Sequence, residues 1–186
     1  MLNVVNMILD YDLPSITPID YAHVLKMKII WKLSANKCHT PNISKLAKQT
    51  EIDRKTVLKY LDLFYRGELI QLSNSPGSSD SLFVKPKKIY LGNPNFMFSL
   101  CEDKPNTGTL RETFFCQQLS VKHQVHSSSK SDFLIDIQFT FEIGVKNKNS
   151  KQIEGIPESY VASDRIEYGF ANHIPLGFLA FYIRCK

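Results

Sequence analysis

The stretch that decides the fold is PNISKLAKQTEIDRKTVLKYLDLF, residues 41–64, which reads as two helices joined by a tight turn. Ile43, Leu46 and Ala47 have helical spacing, and Asn42 stands where an N-cap residue is preferred, so a short helix is predicted there. A longer helix begins at Asp53, after a turn around residues 51–53. The stretch therefore predicts a helix-turn-helix.

The longer helix and a preceding helix over residues 20–36 are both expected to be amphipathic. Asp20 suits the start of the earlier helix, and Gly67 suits the end of the later one. The residues expected to face inward are Tyr21, Val24, Leu25, Ile29 and Leu33 in the first, and Val57, Leu58, Leu61 and Phe64 in the second.

Two strands follow the three helices, over residues 68–73 and 82–92, with the turn-rich NSPGSSD between them. Three helices and a β-hairpin in this order predict a winged helix-turn-helix domain over residues 20–92. Residues 1–19 and 93–108 are predicted to be linkers.

The rest of the chain, residues 109–186, predicts a small α/β domain. LRETFFCQQLSVKH reads as a helix with Leu110, Phe114, Phe115 and Leu119 inward. The strands SDFLID and IQFTFEIGVK are expected to form a hairpin, and SYVASDRI and HIPLGFLAFYI supply further elements. The fold class expected for the whole chain is thus α+β followed by α/β.

Composition narrows the function classes. The 186 residues are 43% hydrophobic and carry a net charge of +5, which permits an anionic partner without requiring one. The four cysteines are widely separated and the histidines lack ligand spacing, so neither a zinc site nor a disulfide framework is indicated. No apolar run or leader pattern indicates a membrane or secretory route, and a cytoplasmic location is expected.

Six segments in a fixed order carry a family resemblance: residues 41–64, KPKKIYLGNPNFMFSL, RETFF, DFLID, FEIGVKNKNSKQI and IPLGFLAFY. Together they resemble the C-terminal half of a prokaryotic AAA-superfamily P-loop ATPase family. The resemblance implies a winged helix followed by a region of unknown function with a restriction-endonuclease-like fold, of the PD-(D/E)XK type. It also implies that an ATPase domain, or another protein, is a partner of this chain.

The chain contains no G-x-x-x-x-G-K-[ST] string, whose backbone amides would cradle phosphates. We therefore expect that this chain does not bind ATP. It is interpreted as a C-terminal fragment or a shortened relative, with residues 1–19 as the remnant of a connection to the absent ATPase domain.

Basic residues cluster in the winged-helix region, where residues 41–91 hold nine Lys or Arg against five Asp or Glu. In DNA-binding winged helices the third helix enters the major groove and the wing contacts the backbone, so DNA is a candidate partner. The same lysines could instead form a solvated face, or the unit could dock on a protein. The candidate nucleic-acid contacts are Arg54, Lys55, Thr56, Lys59, Tyr60, Arg66, Lys85, Lys87 and Lys88.

The nuclease resemblance maps catalytic positions onto Glu112, Asp132 and Glu142, with Asp132 and Glu142 as ligands of Mg²⁺. The lysine of that motif does not map directly, because Gly144 stands in its place. The nearest basic side chain, and so the candidate for the catalytic lysine, is Lys146, which lies on the same face of the strand, roughly 13 Å along it from Glu142. The expected consequence is a nuclease fold that has lost its catalysis.

The register of the predicted hairpin decides whether Asp132 and Glu142 lie on the same face of the sheet. A two-residue turn would pair residue 131 with Glu142 and send Asp132 to the other face, whereas an odd-length loop would pair Asp132 with Glu142. The sequence leaves both registers open.

Three functions are therefore considered. The leading hypothesis is a recognition region that binds DNA or a protein. The alternatives are a Mg²⁺-dependent nuclease and a structural or oligomerisation module.

Overall fold

The computed structural model describes residues 2–35, 41–77, 86–100, 104–145 and 150–179, and it has a mixed α/β architecture. The chain divides into two compact units, Met1–Leu72 with Ser79–Pro105, and Ser73–Ser78 with Asn106–Lys186. Within the described residues, every helix is too short or too polar to cross a bilayer.

The first unit is mostly helical. Its elements are α1 (Leu2–Met7), a π-helical turn (Ile8–Asp12), α2 (Leu13–Ile16), α3 (Tyr21–Ala35), α4 (Ile43–Thr50), α5 (Arg54–Arg66), β1 (Ile70–Ser73), β2 (Lys88–Leu91) and α6 (Pro94–Leu100). The strands β1 and β2 pair as a two-stranded sheet. Lys85 lies outside the described residues.

Helices occupy both segments that were predicted to be linkers. Val5, Leu9 and Leu13 recur every four residues and are at most 2% exposed, so residues 2–16 bury one side of a helical segment. In the second segment, α6 buries Phe96 and Met97, and the Phe96 ring contacts Trp31 edge to face at 5.9 Å. Hydrophobic burial, which a linker lacks, orders both segments.

The helix α3 forms where it was expected, but its buried face differs from the prediction. Val24 is buried as expected, whereas the side chains of Tyr21, Leu25, Ile29 and Leu33 are exposed. The buried side of α3 also contains Met27, Ile30 and Trp31. The helix is apolar on nearly all sides, so helical periodicity alone could not identify the face that packs inward.

A close backbone approach occurs where β2 ends. The Gly92 amide donates to the Leu69 carbonyl at 2.9 Å. A Cβ atom on Gly92 would lie 1.7 Å from the Glu68 carbonyl oxygen. Glu68 itself has a positive φ of 56°. Only glycine fits at residue 92 with this backbone.

The second unit contains α7 (Thr107–Leu119) and a five-stranded mixed sheet. Its strands are β3 (Val125–Ser127), β4 (Phe133–Ile135), β5 (Phe139–Val145), β6 (Ser159–Asp164) and β7 (His173–Pro175), in that spatial order. The pairs β3–β4 and β4–β5 are antiparallel, and β5–β6 and β6–β7 are parallel.

One face of this sheet packs on α7 through an aromatic cluster. The Phe115 ring lies 4.9 Å from the Phe133 ring and 5.1 Å from the Phe141 ring, measured between centroids. A second contact joins α7 to the end of β6, where Arg111 Nε donates to Asp164 Oδ2 at 2.9 Å. These contacts fix which sheet face α7 covers.

The predicted hairpin is confirmed, and its loop has three residues. Phe133 pairs with Phe141, and Ile135 pairs with Phe139, which leaves residues 136–138 as the loop. This is the odd-length alternative, and continuing the pairing by one residue brings Asp132 opposite Glu142.

A hydrogen-bonded contact joins this loop to the chain that follows α7. The His123 ring nitrogen Nδ1 lies 2.6 Å from Asp136 Oδ2, and the Gln124 amide donates to Asp136 Oδ1 at 2.9 Å. Burial raises the pKa of Asp136, but these hydrogen bonds outweigh it and hold that pKa below the usual 3.8. Since Asp136 has a positive φ of 52°, the contact also stabilises an unusual loop conformation.

Candidate functional site

The first candidate site is the exposed side of α5. The turn before it begins with Glu51 in the left-handed conformation, whose amide donates to the Ala47 carbonyl. Asp53 then caps α5, because its carboxylate accepts the Thr56 amide at 3.0 Å. These two local devices set the start of α5, as the sequence predicted.

A basic stripe runs along α5. Lys55, Lys59 and Arg66 are exposed and lie at spacings of four and seven residues, so they share one face of the helix. The opposite face is buried and contains Val57, Tyr60, Leu61, Leu63 and Phe64. Packing against the unit therefore directs the basic stripe to solvent. Arg54 is also exposed, at the first residue of the helix.

One acidic residue interrupts the stripe. Asp62 lies between Lys59 and Arg66 and is partly buried. Burial raises its pKa, and the positive charge of Arg66 opposes that rise. This carboxylate reduces the positive potential at the middle of the stripe.

Tyr60 does not lie where the sequence hypothesis placed it, whereas Thr56 is half-exposed on α5 and its hydroxyl is engaged locally. The Tyr60 side chain is 3% exposed and its hydroxyl bonds to His23 Nδ1, so it is not available to a nucleic acid. Burial and the charges of Asp20 and Asp53 raise the Tyr60 pKa. The Thr56 hydroxyl donates to the Asp53 carboxylate, which lowers the pKa of Asp53. Tyr60 belongs to the core because it follows Val57 by three residues.

Two lysines of the predicted wing are described. Lys87 is exposed, and Lys88 is half-buried with its ammonium group 6.0 Å from the centroid of the Tyr90 ring. Both lie at the start of β2.

The second candidate site surrounds Glu142 in β5. Glu142 is 2% exposed. With the Gln152 amide oriented by its hydrogen bonding, its nitrogen donates to Glu142 Oε1 at 2.7 Å and to Oε2 at 3.3 Å. A buried carboxylate needs such donors, because its desolvation is otherwise costly. The sequence analysis did not predict that Gln152 contacts Glu142. The one available signal was that Gln152 follows Glu142 by ten residues, in the segment between β5 and β6.

The Asp132 carboxylate accepts a hydrogen bond from the backbone of β5, the strand that contains Glu142. Its Oδ2 accepts the Ile143 amide at 2.8 Å, so the carboxylate continues the hydrogen-bond ladder just before β4. Asp132 and Glu142 are opposite in register when the pairing of β4 and β5 is continued by one residue. Asp132 accepts the Ile143 amide, and Glu142 accepts the Gln152 side chain.

Glu112 is separated from Glu142 by the sheet. Side chains alternate along β5, so Glu142 points away from the face on which Phe141 contacts α7, the helix that carries Glu112. Among the described residues, no three His, Cys, Asp or Glu side chains are grouped to hold a metal ion. Lys146 lies outside those residues.

Two histidines of the second unit, His123 and His173, make local contacts. Besides the His123 contact with Asp136, Ser163 Oγ lies 2.9 Å from His173 Nδ1, and the His173 ring stacks on Phe170 at 4.6 Å. Ser163 is completely buried, so this serine is not an accessible nucleophile. His126 Nε2 is buried and has no hydrogen-bond partner among the residues that the structure describes.

Comparisons of the chain with protein-family models, with curated proteins and with solved structures find no match.

Proposed function

We propose that this chain is a recognition module whose first unit is a winged helix-turn-helix that binds duplex DNA. The second unit is proposed to be a restriction-endonuclease-like domain that no longer cleaves DNA. In this proposal the chain works beside an AAA-superfamily ATPase domain, which supplies the ATP chemistry. The observation that carries the proposal is the basic stripe of α5, exposed on the side opposite its buried face.

The charge arrangement supports contacts with phosphate. Arg54 and Lys55 are exposed in the first turn of α5, where their side chains can reach a phosphate. Lys59 and Arg66 extend the positive surface along the helix, and Lys87 adds a charge from β2. An α-helix fits the major groove, where such side chains reach the flanking phosphates.

The test is a fluorescence-anisotropy titration of the full chain with a labelled duplex at about 50 and about 200 mM salt. Three phosphate contacts predict that the affinity falls about 40-fold over this fourfold rise in salt. The double substitution Lys55→Gln and Lys59→Gln should weaken binding about tenfold at low salt, and should reduce the logarithmic salt slope by about 2.

A charge-matched control is Lys122→Gln with Lys130→Gln, since both lysines are exposed in the second unit. Binding that is independent of salt, or that responds equally to the control pair, would contradict the proposal.

Nuclease activity is a second candidate, because the hairpin register places Asp132 opposite Glu142. Against it, Glu142 is buried and its carboxylate oxygens accept hydrogen bonds from Gln152, an arrangement that suits a structural carboxylate. We expect supercoiled plasmid to remain intact with Mg²⁺ or Mn²⁺, both for the unaltered chain and for Glu142→Gln. Cleavage that disappears in Glu142→Gln would instead establish the nuclease.

A further inference from the structure

The outer side of α3 exposes a row of large apolar side chains. Tyr21, Leu25, Ile29 and Leu33 are 74%, 46%, 45% and 36% exposed. They recur every four residues, so they lie one above another and form a stripe about 18 Å long. Hydrophobic residues scattered singly over a surface are ordinary, but a contiguous apolar stripe indicates an interaction site.

Only basic residues flank this apolar stripe on α3. Lys28 and Lys32 lie on one side and Lys26 on the other, and the sequence YAHVLKMKIIWKLSA contains no acidic residue. Lys26 donates to the Glu51 carbonyl, which is an uncharged acceptor. Lys32 is exposed. The stripe is therefore apolar at its centre and positive at its rim.

The N-terminal segment shows how a helix with acidic residues packs on α3. Asp10, in the π-helical turn, forms an ion pair with Lys28 at 2.7 Å. The same segment buries Leu9 and Leu13 in the unit. An ion pair between a carboxylate and a lysine of α3 thus already links one helical segment to this helix.

We infer that the apolar stripe of α3 binds an amphipathic helix of a partner protein, with an apolar side about three turns long and Asp or Glu along its edges. Burial of the stripe would supply the affinity, and ion pairs with Lys26 and Lys32 would set the orientation. This inference is independent of DNA binding, because it uses a different helix and none of the α5 lysines.

A second copy of the chain is a poorer occupant. Two α3 helices packed stripe to stripe would bring lysine rims together, and the helix has no acidic residue to offset them. Like charges in such an arrangement oppose association.

The test uses two labelled synthetic peptides, each an amphipathic helix of about 20 residues with the same leucine stripe. One peptide has glutamates beside the stripe, and the other has lysines. In an anisotropy titration of the full chain, we expect the glutamate peptide to bind at least tenfold more tightly than the lysine peptide. The double substitution Leu25→Gln and Ile29→Gln should remove that binding, while Val121→Gln with Ile137→Gln, exposed in the second unit, should not.

Three results would overturn the inference. The first is equal binding of the two peptides. The second is binding that survives the α3 substitutions in a chain whose melting temperature is unchanged. The third is dimerisation in light scattering that the α3 substitutions abolish, since it would assign the stripe to a second copy.

Discussion

Replacing Gly92 with alanine is expected to lower the free energy of unfolding of the first unit by more than about 3 kcal/mol, the upper end of ordinary overpacking. The new Cβ atom would lie 1.7 Å from the Glu68 carbonyl oxygen and 3.1 Å from the Leu69 carbonyl carbon. Both are backbone atoms, so no rotamer change can relieve the contact. Either the residues after β2 must move, or the hydrogen bond from Gly92 to Leu69 must break.

The measurement is urea unfolding followed by fluorescence of Trp31, the only tryptophan of the chain. Trp31 is 2% exposed in the first unit, so its emission reports the unfolding of that unit. Gln49→Ala is the control within the same unit, because the Gln49 side chain is exposed on α4. A Gly92→Ala chain that unfolds at the same urea concentration as the unaltered chain would contradict the described approach of Gly92 to Glu68.

A second large loss of stability is expected when a buried aromatic residue of the second unit is truncated. Phe115→Ala should lower the free energy of unfolding by about 3–5 kcal/mol, the range found when a buried phenylalanine is truncated. Phe115 is completely buried and touches Phe133 and Phe141 at once, so its removal leaves a cavity bounded by α7, β4 and β5.

Trp31 does not lie in this unit, so the suitable readout is hydrogen exchange of the β5 amides with far-UV circular dichroism. Phe178→Ala serves as control, since Phe178 is 45% exposed in the same unit. Unchanged protection of β5 in Phe115→Ala, or an equal loss in the control, would show that the aromatic cluster does not hold α7 to the sheet.

The parts of the fold that the sequence predicted are those governed by neighbouring residues. Asn42 and Asp53 cap their helices as expected, because an N-cap depends on a side chain and an amide three residues away. The mixed α/β architecture and the hairpin between β4 and β5 also follow from local periodicity.

The parts that could not be predicted depend on contacts distant in sequence. The bond between Tyr60 and His23 joins residues 37 positions apart, so the partner of the Tyr60 hydroxyl could not be identified from the sequence. The choice of the buried face of α3 likewise depends on what packs against it.

The candidate nuclease site illustrates the same limit. The sequence identified Asp132 and Glu142, and it left their register open because the parity of a loop is not fixed by strand propensity. The separation of Glu112 from Glu142 required knowledge of which sheet face α7 covers. The contact of Gln152 with Glu142 required the path of the segment between β5 and β6.

The division of the chain into units has a consequence for truncation. Residues 73–78 belong with the second unit although residues 79–105, which follow them, belong with the first. The Ser127 amide donates to the Asn74 carbonyl at 2.9 Å, so an early segment of the chain supplies an acceptor to β3. A shortened chain that starts at residue 106 would leave the Ser127 amide without this acceptor. During synthesis on the ribosome, the second unit can complete this contact only with a residue made about fifty positions earlier.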